Sequence, residues 1–287
     1  MRIFLFVPIF LLAGSFAKSF GQENAWTDST IIYLEEDREI LEEIFSEFGE
    51  FQGPTSDLML MLGGYFAKSP YVEQSLEHEP EDLVVNLREF DCTTFVESCL
   101  AIALTIRSGK HNFQKFTSEL KNIRYHGGII DGYPSRIHYF SDWIYQNTQR
   151  QYVEDISREI GGIPISKEIN FMSTHPASYR QLSSDSTFVE IIARQELEIS
   201  SRQMYYLPSD RLAELESGLR KGDIVGITTN IKGLDIIHAG VLVRKSGRMH
   251  LMHASSQFKK VMISADPLED YLANNKAATG VMVARPL

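Results

Sequence analysis

Cysteine is scarce in this sequence, with only Cys92 and Cys99 in 287 residues. That excludes the small, disulfide-stapled scaffolds of secreted domains. The two lie seven residues apart in one predicted helix, which separates their Cα atoms by about 10 Å of rise. A disulfide needs roughly 4.4–6.8 Å, so both thiols are expected to be free. No apolar run reaches the ~18–20 residues needed to cross a bilayer. No basic run is present either, and the formal charge is −10, which argues against nucleic acid or an anionic surface as partner. The eight histidines contain no His-x-x-x-His pair of the kind that seats catalytic zinc on a helix. Repeats and low-complexity tracts are absent as well.

With 43% hydrophobic and 11% aromatic residues, the chain can bury a large core. Arg2, the apolar run Ile3 to Ala13 and the small-x-small triplet Ser15-Phe16-Ala17 read as an export signal over residues 1–17, with Ser19-Phe20-Gly21 a second possible cleavage site. Residues 18–287 are expected to form one domain: a helical portion over 18–85, then a core over 86–287 interrupted by a mostly helical insertion at about 113–205. Helical spacing runs through Ile31 to Phe48, and Thr55 or Ser56 is placed to cap a second helix. A buried helix is predicted from about Cys92 to Ile106 with Asp91 as its N-cap. After Gly222 the period switches to strands at Asp223 to Thr228, Ile236 to Val243, Met249 to Ala254, Lys260 to Ser264 and Val281 to Ala284. An antiparallel sheet of about five strands with helices on one side is an α+β plan.

Asp91-Cys92 sets a thiol at the first turn of that helix. Free backbone N–H groups there favour a thiolate, a placement expected to lower a cysteine pKa from about 8.5 toward 7, and they can hold an oxyanion. Cys99, two turns along, reads as core. A base is needed, and His238 lies in a strand where Ile237, Ala239, Val241 and Val243 alternate onto one face and His238 and Gly240 onto the other. The glycine is expected to admit the helix that carries Cys92. His250 and His253, three apart in the next strand, face opposite sides, so only one can orient His238.

The order helix-start Cys, strand His, then polar residue on the following strand resembles the NlpC-type cell-wall cysteine hydrolases, relatives of papain. The resemblance rests on Asp91-Cys92-Thr93-Thr94-Phe95-Val96, Lys221-Gly222-Asp223-Ile224-Val225, His238-Ala239-Gly240-Val241-Leu242-Val243 and His253-Ala254-Ser255. It implies a papain-like core with Cys92 as nucleophile, His238 as base and His253 as orienting residue. More narrowly, residues 125–143, Phe171-Met172-Ser173-Thr174-His175-Pro176 and Gly280-Val281-Met282-Val283-Ala284-Arg285-Pro286 resemble the N-acetylmuramoyl-L-alanine amidase-like branch. Many relatives carry Ser-Gly where Thr93-Thr94 stand here. The implied function is hydrolysis of the N-acetylmuramic acid–L-alanine amide in peptidoglycan fragments, without a cofactor, in the periplasm or outside the cell. Tyr133, Tyr139 and Trp143 are candidate sugar-stacking residues and Arg136 a candidate carboxylate ligand. Two alternatives stand beside it: a D-Glu–diamino acid endopeptidase of wall peptides, and a non-catalytic wall-binding protein on the same scaffold.

Overall fold

The computed structural model describes residues 31–287, so the predicted export signal lies outside the described residues. Helix α1 (Glu35–Phe48) buries Leu41, Ile44 and Phe48, one stripe of its surface. The spacing had extended this helix back to Ile31. Instead Ile31 and Ile32 pair in parallel with Leu83 and Val84. Helix α2 (Thr55–Tyr65) starts after Pro54, and neither Thr55 nor Ser56 caps it. The Thr55 hydroxyl donates instead to the Leu287 carbonyl at 2.5 Å.

Helix α3 (Cys92–Arg107) starts one residue after Asp91, whose carboxylate accepts from the Thr93 and Thr94 N–H groups. It is buried nearly all round, the pattern of a central helix. Helix α4 (Phe113–Arg124) packs beside it. The Arg124 guanidinium donates to Glu97 of α3 at 2.7 Å and to the Val84 carbonyl at 2.6 Å. Helix α5 (Phe140–Gln149) follows.

The middle region is mostly helical, as its sequence suggested, and also supplies short strands. It contributes β1 (Val153–Asp155) and β2 (Ile163–Pro164), then helix α6 (Ser186–Ser201), then β3 (Tyr205–Pro208). The five predicted strands follow as β4 (Ile224–Thr229), β5 (Ile236–Lys245), β6 (Arg248–Ser255), β7 (Lys260–Pro267) and β8 (Ala278–Pro286), with helix α7 (Leu268–Ala273) before the last. The sheet therefore has eight strands, because β1 to β3 are too short for a period-2 pattern to show. Its order is β2-β3-β8-β4-β5-β6-β7, and β1 extends the β3 edge of β8. Neighbours are antiparallel throughout, and the architecture is α+β.

One face of the sheet, carrying Ile224, Ala239, Val241, Met252 and Ala254, shares a core with α1 to α5. The other face, carrying Val225, Leu242, Leu251 and Val283, is covered by α7 and the Leu212–Leu219 segment. Arg285 of β8 grips Asp223 with two hydrogen bonds of 2.8 Å, fixing the entry to β4 against the sheet centre. Gly222 opens that entry at φ 84°, where a Cβ would stand 2.3 Å from the Ser56 carbonyl oxygen, so no other residue fits.

The Glu97–Arg124 pair is shut away from solvent, and cutting one member strands the other. Arg124→Ala is expected to lower unfolding free energy by about 3–5 kcal/mol, and a paired exchange of both residues for apolar ones by much less. Urea denaturation of the single and double variants measures the difference.

Candidate active site

Cys92 sits where α3 meets the sheet, at a place where the ladder between β5 and β6 gives out. Pairing runs from Lys245↔Arg248 to Val241↔Met252 and stops. Leu242 turns its N–H to the Asp223 carbonyl and its carbonyl to the Gly222 N–H, both at the β4 edge. By alternation Ala239 turns its own groups toward β6, where no partner strand remains. The Ala239 N–H faces the Cys92 sulfur closely enough to lower the thiol's pKa. This places the thiol beside the His238–Ala239 peptide, from which the His238 ring hangs. On β5 an extra residue, Ile237, is bulged between Ile227↔His238 and Thr228↔Ile236, which re-aims the strand just before His238.

His238 Nε2 and His253 Nδ1 lie 2.6 Å apart with their rings perpendicular, at 89°. The two histidines thus span the gap left between β5 and β6. His250 looks the other way, its Nδ1 against the Ser264 carbonyl at 3.0 Å. The predicted reason for Gly240 does not hold. Helix α3 packs on the Ala239 and Val241 face, and a Cβ at Gly240 would meet Leu251 Cδ1 and the Met252 carbonyl oxygen, both at 2.7 Å. The glycine accommodates β6, not the helix.

The start of α3 is locked reciprocally. Thr94 N–H donates to Asp91 Oδ1 at 2.7 Å, and Asp91 N–H to Thr94 Oγ1 at 2.9 Å. Thr93 Oγ1 lies 3.9 Å from the sulfur. So the Thr-Thr pair standing in place of Ser-Gly has a local use: one hydroxyl completes the cap and the other touches the thiol.

The electrostatics correct one expectation. Burial raises the thiol's affinity for its proton and the Asp91 carboxylate adds to this, outweighing the lowering by the Ala239 N–H of β5, the Thr93 hydroxyl and the Cys92 N–H at the helix start. The Cys92 pKa is pushed up to about 11. Burial holds His238 down to about 4. Burial, then the neighbouring His238, holds His253 down to about 3. At neutral pH the resting site is a neutral thiol beside neutral imidazoles. Cys99 is wholly buried and its pKa rises further, by burial alone. Neither cysteine is bridged.

Two tyrosines that the sequence did not single out face the thiol. Tyr71 is pushed up to about 12 by burial first, then by the charges of Cys92, Glu73 and Asp91. Tyr271 on α7 rises through burial and then Cys92, and its ring packs edge-on to His253 at 5.6 Å. Both stand in short, aperiodic segments that carry no pattern to mark them.

A cleft of about 210 Å³ opens beside the start of α3, lined by Asp91, Thr93, Tyr133, Arg136, Tyr139, Met172 and Tyr179 among others. Three of the four candidate substrate residues meet here, and one does not. Trp143 is 1% exposed and stacks on Phe140 at 5.0 Å, so it belongs to the core and no sugar reaches it. Arg136 is already engaged. It donates to the Leu76 carbonyl at 2.8 Å and to Glu77 at 2.7 Å, with Glu81 at 3.5 Å, and lies over the Tyr133 ring at 5.0 Å. Its charge is therefore neutralised from within and not free for a substrate carboxylate. Tyr139 donates its hydroxyl to Glu196 at 2.6 Å and accepts from the Met172 N–H at 2.9 Å, which makes it a brace of the cleft wall.

With its thiol pKa near 11, alkylation of Cys92 by iodoacetamide in the unliganded protein should keep accelerating as pH rises above 8. A rate already level at pH 7 would show a pre-formed thiolate instead. Asp91→Asn, which keeps the cap and removes the charge, should move the rise to lower pH. Asp91→Ala should cost about 0.5–2 kcal/mol of stability through the lost cap, read from the unfolding midpoint.

Residues 61–281 match the family model AmiA-like, described as N-acetylmuramoyl-L-alanine amidase-like. Among solved structures, an N-acetylmuramoyl-L-alanine amidase from Bacteroides uniformis is 37% identical with a TM-score of 0.78, over 82% of this chain and 99% of that one. A candidate xylanase from Bacteroides fragilis is 37% identical with a TM-score of 0.73, over 79% of this chain and 99% of that one. A Legionella pneumophila protein at 22% identity and a TM-score of 0.67, over 88% and 94% of the two chains, shares the fold. No curated protein matches the chain. The chain belongs to the AmiA-like, N-acetylmuramoyl-L-alanine amidase-like family.

Proposed function

We propose that the protein is an exported cysteine amidase that hydrolyses the bond between N-acetylmuramic acid and L-alanine in muropeptides, on a papain-like core of the NlpC type. The observation that carries the chemistry is the pair of contacts at the strand gap. The Ala239 N–H faces the Cys92 sulfur, and His253 occupies the far nitrogen of His238. The ring nitrogen left for the thiol is Nδ1, the one nearer the peptide against which the sulfur sits.

In this reading His253 Nδ1 accepts from His238 Nε2–H and fixes the tautomer that leaves Nδ1 unprotonated. His238 takes the thiol proton as the sulfur attacks the amide carbonyl, so the two neutral groups become an ion pair only as the bond forms. The oxyanion accepts from the Cys92 N–H, the donor in the first turn of α3 that the Asp91 cap leaves over. His238 then returns the proton to the departing amine of the peptide, leaving a thioester on the sugar side. Water, deprotonated by His238, releases the acid and restores the thiol. Tyr133 and Tyr139 shape the adjoining cleft, and Arg136 holds that shape through its internal ion pairs.

The xylanase description of the Bacteroides fragilis neighbour finds less support here. Glycoside hydrolysis needs a pair of available carboxyl groups. The cleft carboxylates Asp91, Glu97 and Glu77 are committed to the helix cap, Arg124 and Arg136.

Cys92→Ala and His238→Ala should each lower kcat by about 10⁴-fold or more, and His253→Ala by about 10²–10⁴-fold. Mass spectrometry of products from a defined muropeptide reads both rate and bond: free sugar plus a peptide headed by L-alanine is expected. Release of a peptide beginning with the diamino acid, or full turnover in Cys92→Ala, would refute the assignment. Because protonated imidazole cannot accept the thiol proton, kcat/KM should fall as pH drops through about 4 and hold above it.

A further inference from the structure

A second pocket of about 180 Å³ opens where β2 and β3 meet the end of β4 and the start of β8, and it shares no lining residue with the cleft beside Cys92. Asp235 reaches it from the residue before β5. This carboxylate is buried, with Oδ2 accepting from the Ser141 N–H and Oδ1 from the Ile236 N–H, each at 2.7 Å. Among the described residues no cation forms an ion pair with it. Lys167, the ammonium in the same pocket, instead donates to the Thr229 carbonyl at 2.6 Å and keeps two N–H donors unspent. Burial alone favours the protonated, neutral form of this carboxyl group, and an ammonium seated beside it in the pocket would stabilise its anion.

The rest of the lining narrows the guest. The Thr228 and Thr279 hydroxyls are 2.8 Å apart, so one donates to the other and a single O–H donor is left over. Met204 and Met282 supply an adaptable apolar bed. The volume falls below the roughly 300–1,000 Å³ of a drug-sized site, too little for a disaccharide or a stem peptide. We infer that this pocket binds a free amino acid, its ammonium on Asp235, its carboxylate at Lys167 and the spare threonine hydroxyl, and its side chain between Met204 and Met282. The assignment stands on these groups alone and does not depend on how Cys92 acts.

The test is calorimetric titration of the whole protein with L-leucine, N-acetyl-L-leucine and L-leucinamide. L-Leucine should bind, and removing either charge from it should weaken binding at least tenfold. Lys167→Ala, at a half-exposed position that threatens no core contact, should also weaken it at least tenfold. Tyr179→Ala in the Cys92 cleft should leave it unchanged. Absence of L-leucine binding at millimolar concentration, equal binding of the acetylated compound, or loss in Tyr179→Ala with retention in Lys167→Ala would each overturn the assignment. Turnover of muropeptides by the same preparations is read separately, so either result leaves the other standing.

Discussion

The site depends on a hydrogen bond that the sheet does not make. Had β5 and β6 stayed paired past Val241↔Met252, the Ala239 N–H would belong to the ladder and would not face the sulfur. The parted strands leave room for the first turn of α3, while the imidazoles of His238 and His253 close the gap from side to side. Everything else around the site serves to keep this gap from zipping shut. The bulge at Ile237 bends β5, the reciprocal Asp91–Thr94 cap fixes where the helix begins, and Arg285–Asp223 pins the neighbouring strand.

The charges beside the cleft follow a second constraint. Glu97, Arg124, Arg136 and Glu81 are withdrawn from solvent, and such groups persist in a fold only when paired or hydrogen-bonded. Here they pair with one another across α3, α4 and the loop around Glu77, so the cleft keeps its shape through ion pairs whose charge is consumed internally. Besides these charges its lining includes Tyr133, Tyr139, Met172 and Tyr179.

Much of this was legible in the residues. The five long strands carry period-2 alternation, α3 follows directly from Asp91 and its apolar spacing, and Cys92 and His238 come from elements regular enough to locate, whereas His253 was chosen over His250 by resemblance. What could not be read depends on tertiary partners. Strands of two to four residues such as β1, β2 and β3 have no period to detect. Trp143 and Arg136 look like ligand-binding residues in a linear reading, because nothing local reveals that the core encloses one and that the distant Glu77 already occupies the other. The rise of the Cys92 pKa likewise reflects burial against the sheet, which a helix-start argument does not contain. Gly240 was placed correctly beside the histidine but for the wrong neighbour.

The strand order has a consequence for how the chain assembles. β8 lies inside the sheet, flanked by β4 on one side and by β3 and β1 on the other, yet it follows all of them in sequence. During N-to-C synthesis, the two halves of the sheet can each begin to form but must wait with open edges until β8 slots between them. Such exposed edges recruit other strands, so the nascent protein is most prone to aggregate in that interval, and a holding chaperone would act to best effect there.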